Sequence, residues 1–159
     1  IVPIEAKIEI SADTIAYQIN NKEIKALGHV VVRQETITLK GKEARYNEVK
    51  NKVNVKGDVR LKKGELTMRC NQAIANNTTK KINAKGDVAF SYLGTTGFSQ
   101  FAMFDVTSEK VYLRGKAKIK RKNNKLRNTG EIILDLKQKK ILTKGRTKVN
   151  VSLEELRGV

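Results

Sequence analysis

Apolar and polar residues alternate along almost the whole chain, and the alternation restarts at a fixed interval. Val53-Asn54-Val55-Lys56-Gly57-Asp58-Val59-Arg60-Leu61 shows the unit. A period of two sends successive side chains to opposite faces of an extended strand, so each such run predicts a β-strand with one apolar face. The phrase recurs at Gly28-His29-Val30, Gly57-Asp58-Val59 and Gly86-Asp87-Val88, with weaker copies at Gly115-Lys116-Ala117 and Gly145-Arg146-Thr147. These glycines stand 29, 29, 29 and 30 residues apart. So regular a period signals copies of one supersecondary unit.

Each unit reads as two strands. The first runs from Lys7 to Gln18 through Ile8, Ile10, Ala12, Ile15 and Tyr17, turns at Asn20-Asn21, and returns through Ile24, Ala26, Gly28, Val30 and Val32. The second takes Ile37, Leu39, Gly41, Ala44 and Tyr46, then Val53 to Leu61. The third takes Leu66, Met68, Cys70, Ala73 and Ala75, then Ile82, Ala84, Gly86, Val88 and Phe90. In the fourth, Tyr92 to Phe98 reads as a looser hairpin leading to Phe101, Ala102 and Phe104, then Val111, Leu113, Gly115 and Ile119. The basic turn from Lys120 to Lys125 is expected to take up the extra residue of the last interval. The fifth unit gives Leu126, Ile132 and Leu134, then Ile141, Gly145, Val149 and Val151. The prediction is one all-β domain over residues 1–159: a single antiparallel meander of about ten long strands, in five two-strand repeats of about 29 residues.

Folding each hairpin about its turn sets Gly28 against Ala12, Gly57 against Gly41, Gly86 against Cys70, Gly115 against Ser99 and Gly145 against Thr129. A column of small residues midway along every strand is what a sharp bend requires, because larger substituents collide inside it. Pairing Leu39 with Val59 and Ile37 with Leu61, but Tyr46 with Val53 and Ala44 with Val55, leaves a one-residue offset. That predicts a bulge in the first strand of each unit. The meander is therefore expected to crease into a V with an apolar trough inside, lysines outside, and both ends open. Each arm holds about five residues, roughly 17 Å, a depth suited to acyl chains. The predicted trough wall comprises Ile24, Val30, Val32, Ile37, Leu39, Tyr46, Val53, Val59, Leu61, Met68, Val88, Phe90 and Phe104. The first and last strands leave unpaired edges, marked by Ile8 and Ile10 and by Val149 and Val151, where another strand can add.

Composition narrows the chemistry. Hydrophobic residues make up 39% and aromatics 5%, with no Trp, so there is no dense aromatic core. Lys and Arg number 33 against 16 acids, a net charge of +17, which implies an anionic partner or surface. The densest basic run, Lys116 to Lys122, alternates lysine with apolar residues, so its charges share one outer face. The lone Cys70 excludes an internal disulfide and a multi-cysteine metal site. The single histidine, His29, and the repeated Asp58 and Asp87 fall on the outward parity. With no nucleophile elbow, phosphate loop or His-Cys spacing, the reading is a non-enzyme with no cofactor and no metal. No 18-residue apolar run exists to form a membrane helix. A chain starting at Ile1 is expected to be trimmed or processed, with a secretory signal removed.

Ile8-Glu9-Ile10-Ser11-Ala12-Asp13 resembles the start of the OstA-like domain of the LptA family of lipopolysaccharide-transport periplasmic proteins. So do the repeated Gly-x-Val strands. Asp105-Val106-Thr107-Ser108-Glu109-Lys110-Val111-Tyr112-Leu113-Arg114-Gly115 and Asn128-Thr129-Gly130-Glu131-Ile132-Ile133-Leu134-Asp135 are similar to that family's later repeats. The resemblance runs from about Lys7 to Val151. It implies a β-jellyroll with a greasy groove for lipid A acyl chains, and a periplasmic bridge stacked edge to edge. That bridge would join an LptC-like inner-membrane partner to an LptD-like outer-membrane partner. LptC-like and LptD-like domains share the fold and remain alternatives. Two readings outside the family also remain: a basic β protein that binds a polyanion such as nucleic acid, although basic residues spread over all repeats and scarce stacking aromatics speak against nucleic acid, and a structural β-solenoid with a filled interior.

Overall fold

The computed structural model describes residues 8–128 and 130–151, and those residues form strands and turns without a helix. The strands are β1 (Ile8–Ser11), β2 (Thr14–Gln18), β3 (Glu23–Gln34), β4 (Ile37–Asn47), β5 (Lys52–Lys63), β6 (Leu66–Asn76), β7 (Lys81–Tyr92), β8 (Thr95–Asp105), β9 (Lys110–Arg114), β10 (Ala117–Arg121), β11 (Asn124–Asn128), β12 (Glu131–Asp135), β13 (Lys140–Lys144) and β14 (Thr147–Asn150). The expected ten-strand meander is present, but only β3 to β8 run unbroken for 11 or 12 residues. The remaining four strands are each split in two at the midpoint: β1 and β2, β9 and β10, β11 and β12, β13 and β14.

This splitting forks the sheet. One arm has the order β1-β3-β4-β5-β6-β7-β8-β10-β11-β14, and the other carries β2, the far halves of β3 to β8, then β9, β12 and β13. Every pairing is antiparallel. Neighbouring strands among β3 to β8 shift register once, at the same level. That line of shifts is the crease.

The crease differs from expectation in two respects. Glu43 pairs with Lys56 on one side, and Lys40 with Arg60 on the other, so the extra residue lies on β5. In the first four units the bulge belongs to the glycine strand, the second, not the first, whereas in the fifth the pairs Asn128–Thr147 and Glu131–Lys144 keep one register. Tyr46 and Ala44 pair with Val53 and Val55 as predicted, whereas Leu39 faces Leu61 and not Val59, which removes the predicted Ile37–Leu61 pair. The cause is backbone conformation: Gly57 and Asp58 are both left-handed, with φ of 87° and 44°. Two consecutive residues of that kind turn a strand sharply, and aspartate tolerates the second position better than most side chains. Each glycine also faces the residue after the predicted one. A Cβ on Gly57 would stand 2.8 Å from Lys42 Cβ, and one on Gly86 would stand 2.7 Å from Asn71 Cβ. The predicted partner Thr129 lies outside the described residues.

The small residues Cys70, Ser99 and Asn128 have a second use. Cys70 Sγ donates to the Gln72 carbonyl at 3.4 Å, and Ser99 Oγ donates to the Phe101 carbonyl at 2.9 Å. Asn128 Oδ1 accepts from the Gly130 amide at 2.7 Å. A bend interrupts ladder bonds, and buried backbone groups must then find other partners. These short side chains supply them.

The turns at the tip of the second arm form a ladder of their own. Asn76 Oδ1 accepts from the Thr78 and Thr79 amides, Asp105 Oδ1 from Thr107 and Ser108, and Asp135 Oδ1 from Gln138. Each turn then bonds the one before: Asn77 N to Asn51 O, Val106 N to Lys80 O, and Leu136 N to Glu109 O, all at 3.0 Å. The fourth unit is not loose at its start, since Leu93 and Gly94 form a tight left-handed turn between Tyr92 and Thr95. The extra residue of the last interval falls between Arg127 and Glu131, at the crease, and not in the basic turn.

Candidate functional site

The two arms face each other across an apolar interior. On the first arm one register row reads Ile10-Val32-Leu39-Leu61-Met68-Phe90-Gly97-Ile119-Leu126-Val149. On the second arm the row nearest the crease is Ile15-Ala26-Ala44-Val55-Ala73-Ala84-Ala102-Leu113-Ile132, mostly alanine. Large residues on one arm therefore meet methyl groups on the other. The next row out is bulky again: Tyr17-Ile24-Tyr46-Val53-Ala75-Ile82-Phe104-Val111-Leu134-Ile141.

Of the residues predicted to line the trough, Ile24 and Tyr46 are half-buried at one end, and the others are buried. The interior is not empty along its length. Val59 and Val88 are fully buried beside the crease, and Phe90 lies over Gly97. The arms are also joined across the mouth. Lys63 Nζ reaches Glu109 Oε1 at 3.0 Å and sits 5.3 Å from the Phe104 ring centroid. The Tyr92 hydroxyl donates to the Leu136 carbonyl at 3.3 Å. Side chains of this size, five residues deep on each arm, fill the space that a trough drawn from strand parity alone leaves open.

Room remains at the ends. The amino-terminal opening holds a cavity of about 650 Å³ bounded by Ile8, Ile10, Ile15, Ile24 and Tyr46, with Gln34, Asn51, Asn77 and Lys80 at its rim. It shares Gln34, Asn77 and Lys80 with a narrow slot of about 40 Å³ running inward between Val32, Ile37 and Leu39 on one arm and Val53, Ala75, Ile82 and Val106 on the other. A second opening of about 390 Å³ lies at the carboxy-terminal end between Tyr92, Thr95 and Arg121 and Leu134 to Ile141. The slot is apolar inside, and its rim carries a lysine and amides. Ala75, Ile82 and Val106 also line the slot and are not among the predicted wall residues. Ala75 and Ile82 share a register row with Val53 and Phe104, which period-two counting alone does not reveal.

Of the predicted edge residues, Ile8 and Ile10 are half-buried on β1, which among the described residues pairs only with β3, and Val149 is exposed on β14, which among them pairs only with β11. Val151 is exposed just beyond it. The titratable candidates lie away from the slot. His29 is exposed, and the 2.7 Å hydrogen bond of its Nδ1 to Asp13 raises its pKa. Asp58 is lowered by Arg69 and Arg60. Burial pushes the Cys70 thiol up to about 11, so it is a packing group, not a nucleophile. Among the described residues no cluster of three His, Cys, Asp or Glu side chains stands together.

Residues 40–140 match the family model described as LptA/(LptD N-terminal domain) LPS transport protein. Among solved structures, the chain is similar to the crystal structure of LptH, the LptA homologous periplasmic component of the lipopolysaccharide transport device from Pseudomonas aeruginosa. Identity is 15%, coverage is 92% of this chain and 95% of that one, and the TM-score is 0.38. Comparison with curated proteins gives no match.

Proposed function

Because the chain belongs to the LptA/LptD amino-terminal domain family of lipopolysaccharide transport proteins, a transport family and not an enzyme family, we propose that it is a periplasmic carrier holding lipid A acyl chains between its arms. The observation that carries this reading is the amino-terminal opening that continues into the apolar slot, with Lys80 at the rim shared by both. Ile24 and Tyr46 receive the chains, while Val32, Ile37, Leu39 and Val53 line their path. Burial of methylenes supplies about 0.8 kcal/mol each, and Lys80 is placed to meet a lipid phosphate. A chain longer than the slot displaces the Lys63–Glu109 contact and parts the arms. Directional movement then needs energy from a partner, because binding alone is reversible.

The open edges support a bridge. Nine successive antiparallel pairings make β14 run opposite to β1. A second copy can therefore place its β1 beside β14 and continue the antiparallel order, with main-chain hydrogen bonds as the joint. Under this proposal the terminal copies meet LptC-like and LptD-like partners by the same edges.

The test of lipid uptake is binding of purified lipopolysaccharide to the Ile24→Glu/Tyr46→Glu variant. Both positions are half-buried at the opening and not in the closed core, so the variant should fold. Affinity should fall about tenfold with an unchanged circular dichroism spectrum. Undiminished binding by the folded variant refutes uptake at this end.

A further inference from the structure

The charge of +17 is unevenly placed, and the first arm's outer face carries much of it. One outer row of that arm reads Val31, Lys40, Arg60, Arg69, Ala89, Phe98, Lys118, Arg127, Lys148. It consists of two cationic triads flanking an apolar centre. Phe98, in that centre, is 63% exposed. The next outer row adds four more cations, and Glu9 is the one acid in the two rows. The second arm behaves differently: its outer rows mix lysines with Glu43, Asp105, Glu131 and Asp135.

This arrangement works against folding. Arg60 lies directly opposite Arg69, Lys118 opposite Arg127, and Arg127 opposite Lys148. Like charges at directly paired positions destabilise a sheet. Asp58 relieves the first triad by bonding Arg60 and Arg69 at 3.5 and 3.4 Å. The second triad makes no ion pair among the described residues. The aliphatic stems of Lys118, Arg127 and Lys148, with Lys116, Ala117, Asn128 and Arg146, line a shallow, largely carbon-walled cavity of about 220 Å³.

We propose that the outer face of the first arm docks on an anionic membrane surface, with Lys118, Arg127 and Lys148 pairing with lipid phosphates and Phe98 entering the interface. Both arms being sheets, the face is broad: ten strands at about 4.8 Å spacing span roughly 43 Å. Two parallel rows of cations match a two-dimensional array of phosphates, each cation near such a surface adding to the attraction. A single-stranded nucleic acid would need several stacking aromatics, and these two rows hold one. The face lies on the opposite side of the arm from the slot, so its failure and the failure of lipid uptake are separate results.

The test is cosedimentation of the whole chain with vesicles of equimolar phosphatidylglycerol and phosphatidylcholine, against phosphatidylcholine alone. Wild type should bind only the anionic vesicles at about 0.1 M salt and be released at about 0.5 M. Lys118→Glu/Arg127→Glu should weaken binding about tenfold or more. Lys56→Glu/Lys85→Glu, an equal charge change on the second arm, should stay within about twofold. If the glutamate pair fails to fold, Lys118→Gln/Arg127→Gln replaces it and should show the same ordering. Equal losses from both arms, no binding to anionic vesicles, or a short DNA duplex that displaces the protein from vesicles through these same residues would each overturn the proposal.

Discussion

Gly57→Val lowers stability by about 3 kcal/mol. Two costs combine. The residue sits at φ 87°, a left-handed conformation in which a β-branched side chain is strained. Its Cβ would also stand 2.8 Å from Lys42 Cβ on the neighbouring strand, closer than real carbon atoms approach. Relief requires β4 and β5 to separate at the crease, where Val55 and Val59 are fully buried. Gly64→Ala is the control. It is left-handed at φ 56° but has nothing within 4 Å, so it should cost only about 1 kcal/mol. Urea unfolding of the two variants separates the crease from an ordinary turn. Equal costs would mean that the crease is not a point of close approach.

If copies join edge to edge as proposed, Leu142→Lys/Val149→Lys should weaken head-to-tail self-association about a hundredfold. Leu142 lies on β13 and Val149 on β14, 43% and 53% exposed, so the change touches the edge of each arm and little of the core. Lysine on an edge strand is a natural block to strand addition, because pairing buries its charge against the incoming chain. Sedimentation over a range of concentrations should show wild type assembling and the variant staying a monomer, with unchanged thermal unfolding. Identical assembly by the variant would move the joint away from this edge.

Much of the architecture was legible because the glycine period and the strand parity are both local signals. Gly28, Gly57, Gly86, Gly115 and Gly145 all mark the crease, and Tyr46–Val53 pairs as read. Errors arose where register depends on backbone geometry. A residue count locates an offset beside Gly57 but does not say which strand carries the bulge; the left-handed Asp58 decides that. The splitting of the flanking strands was illegible for the same reason, since Lys110 to Arg121 alternates through Gly115 as smoothly as Lys81 to Tyr92 does through Gly86. The residues expected to wall the trough were read by parity, which sorts inside from outside but does not measure free volume. Lys63 against Glu109 is a contact between the arms at a separation in sequence that carries no period. The cationic rows were visible only as composition until the register set Lys118 beside Arg127 and Lys148.

The proposed carrier holds acyl chains between its arms. A photoreactive benzophenone side chain placed at Tyr46, on the inner row, and separately at Met103, on the outer row of the same arm, reads this directly. With lipopolysaccharide present, a covalent lipid adduct should form at position 46 and not at position 103. An adduct at 103 with none at 46 would place the lipid outside the arms and contradict the account.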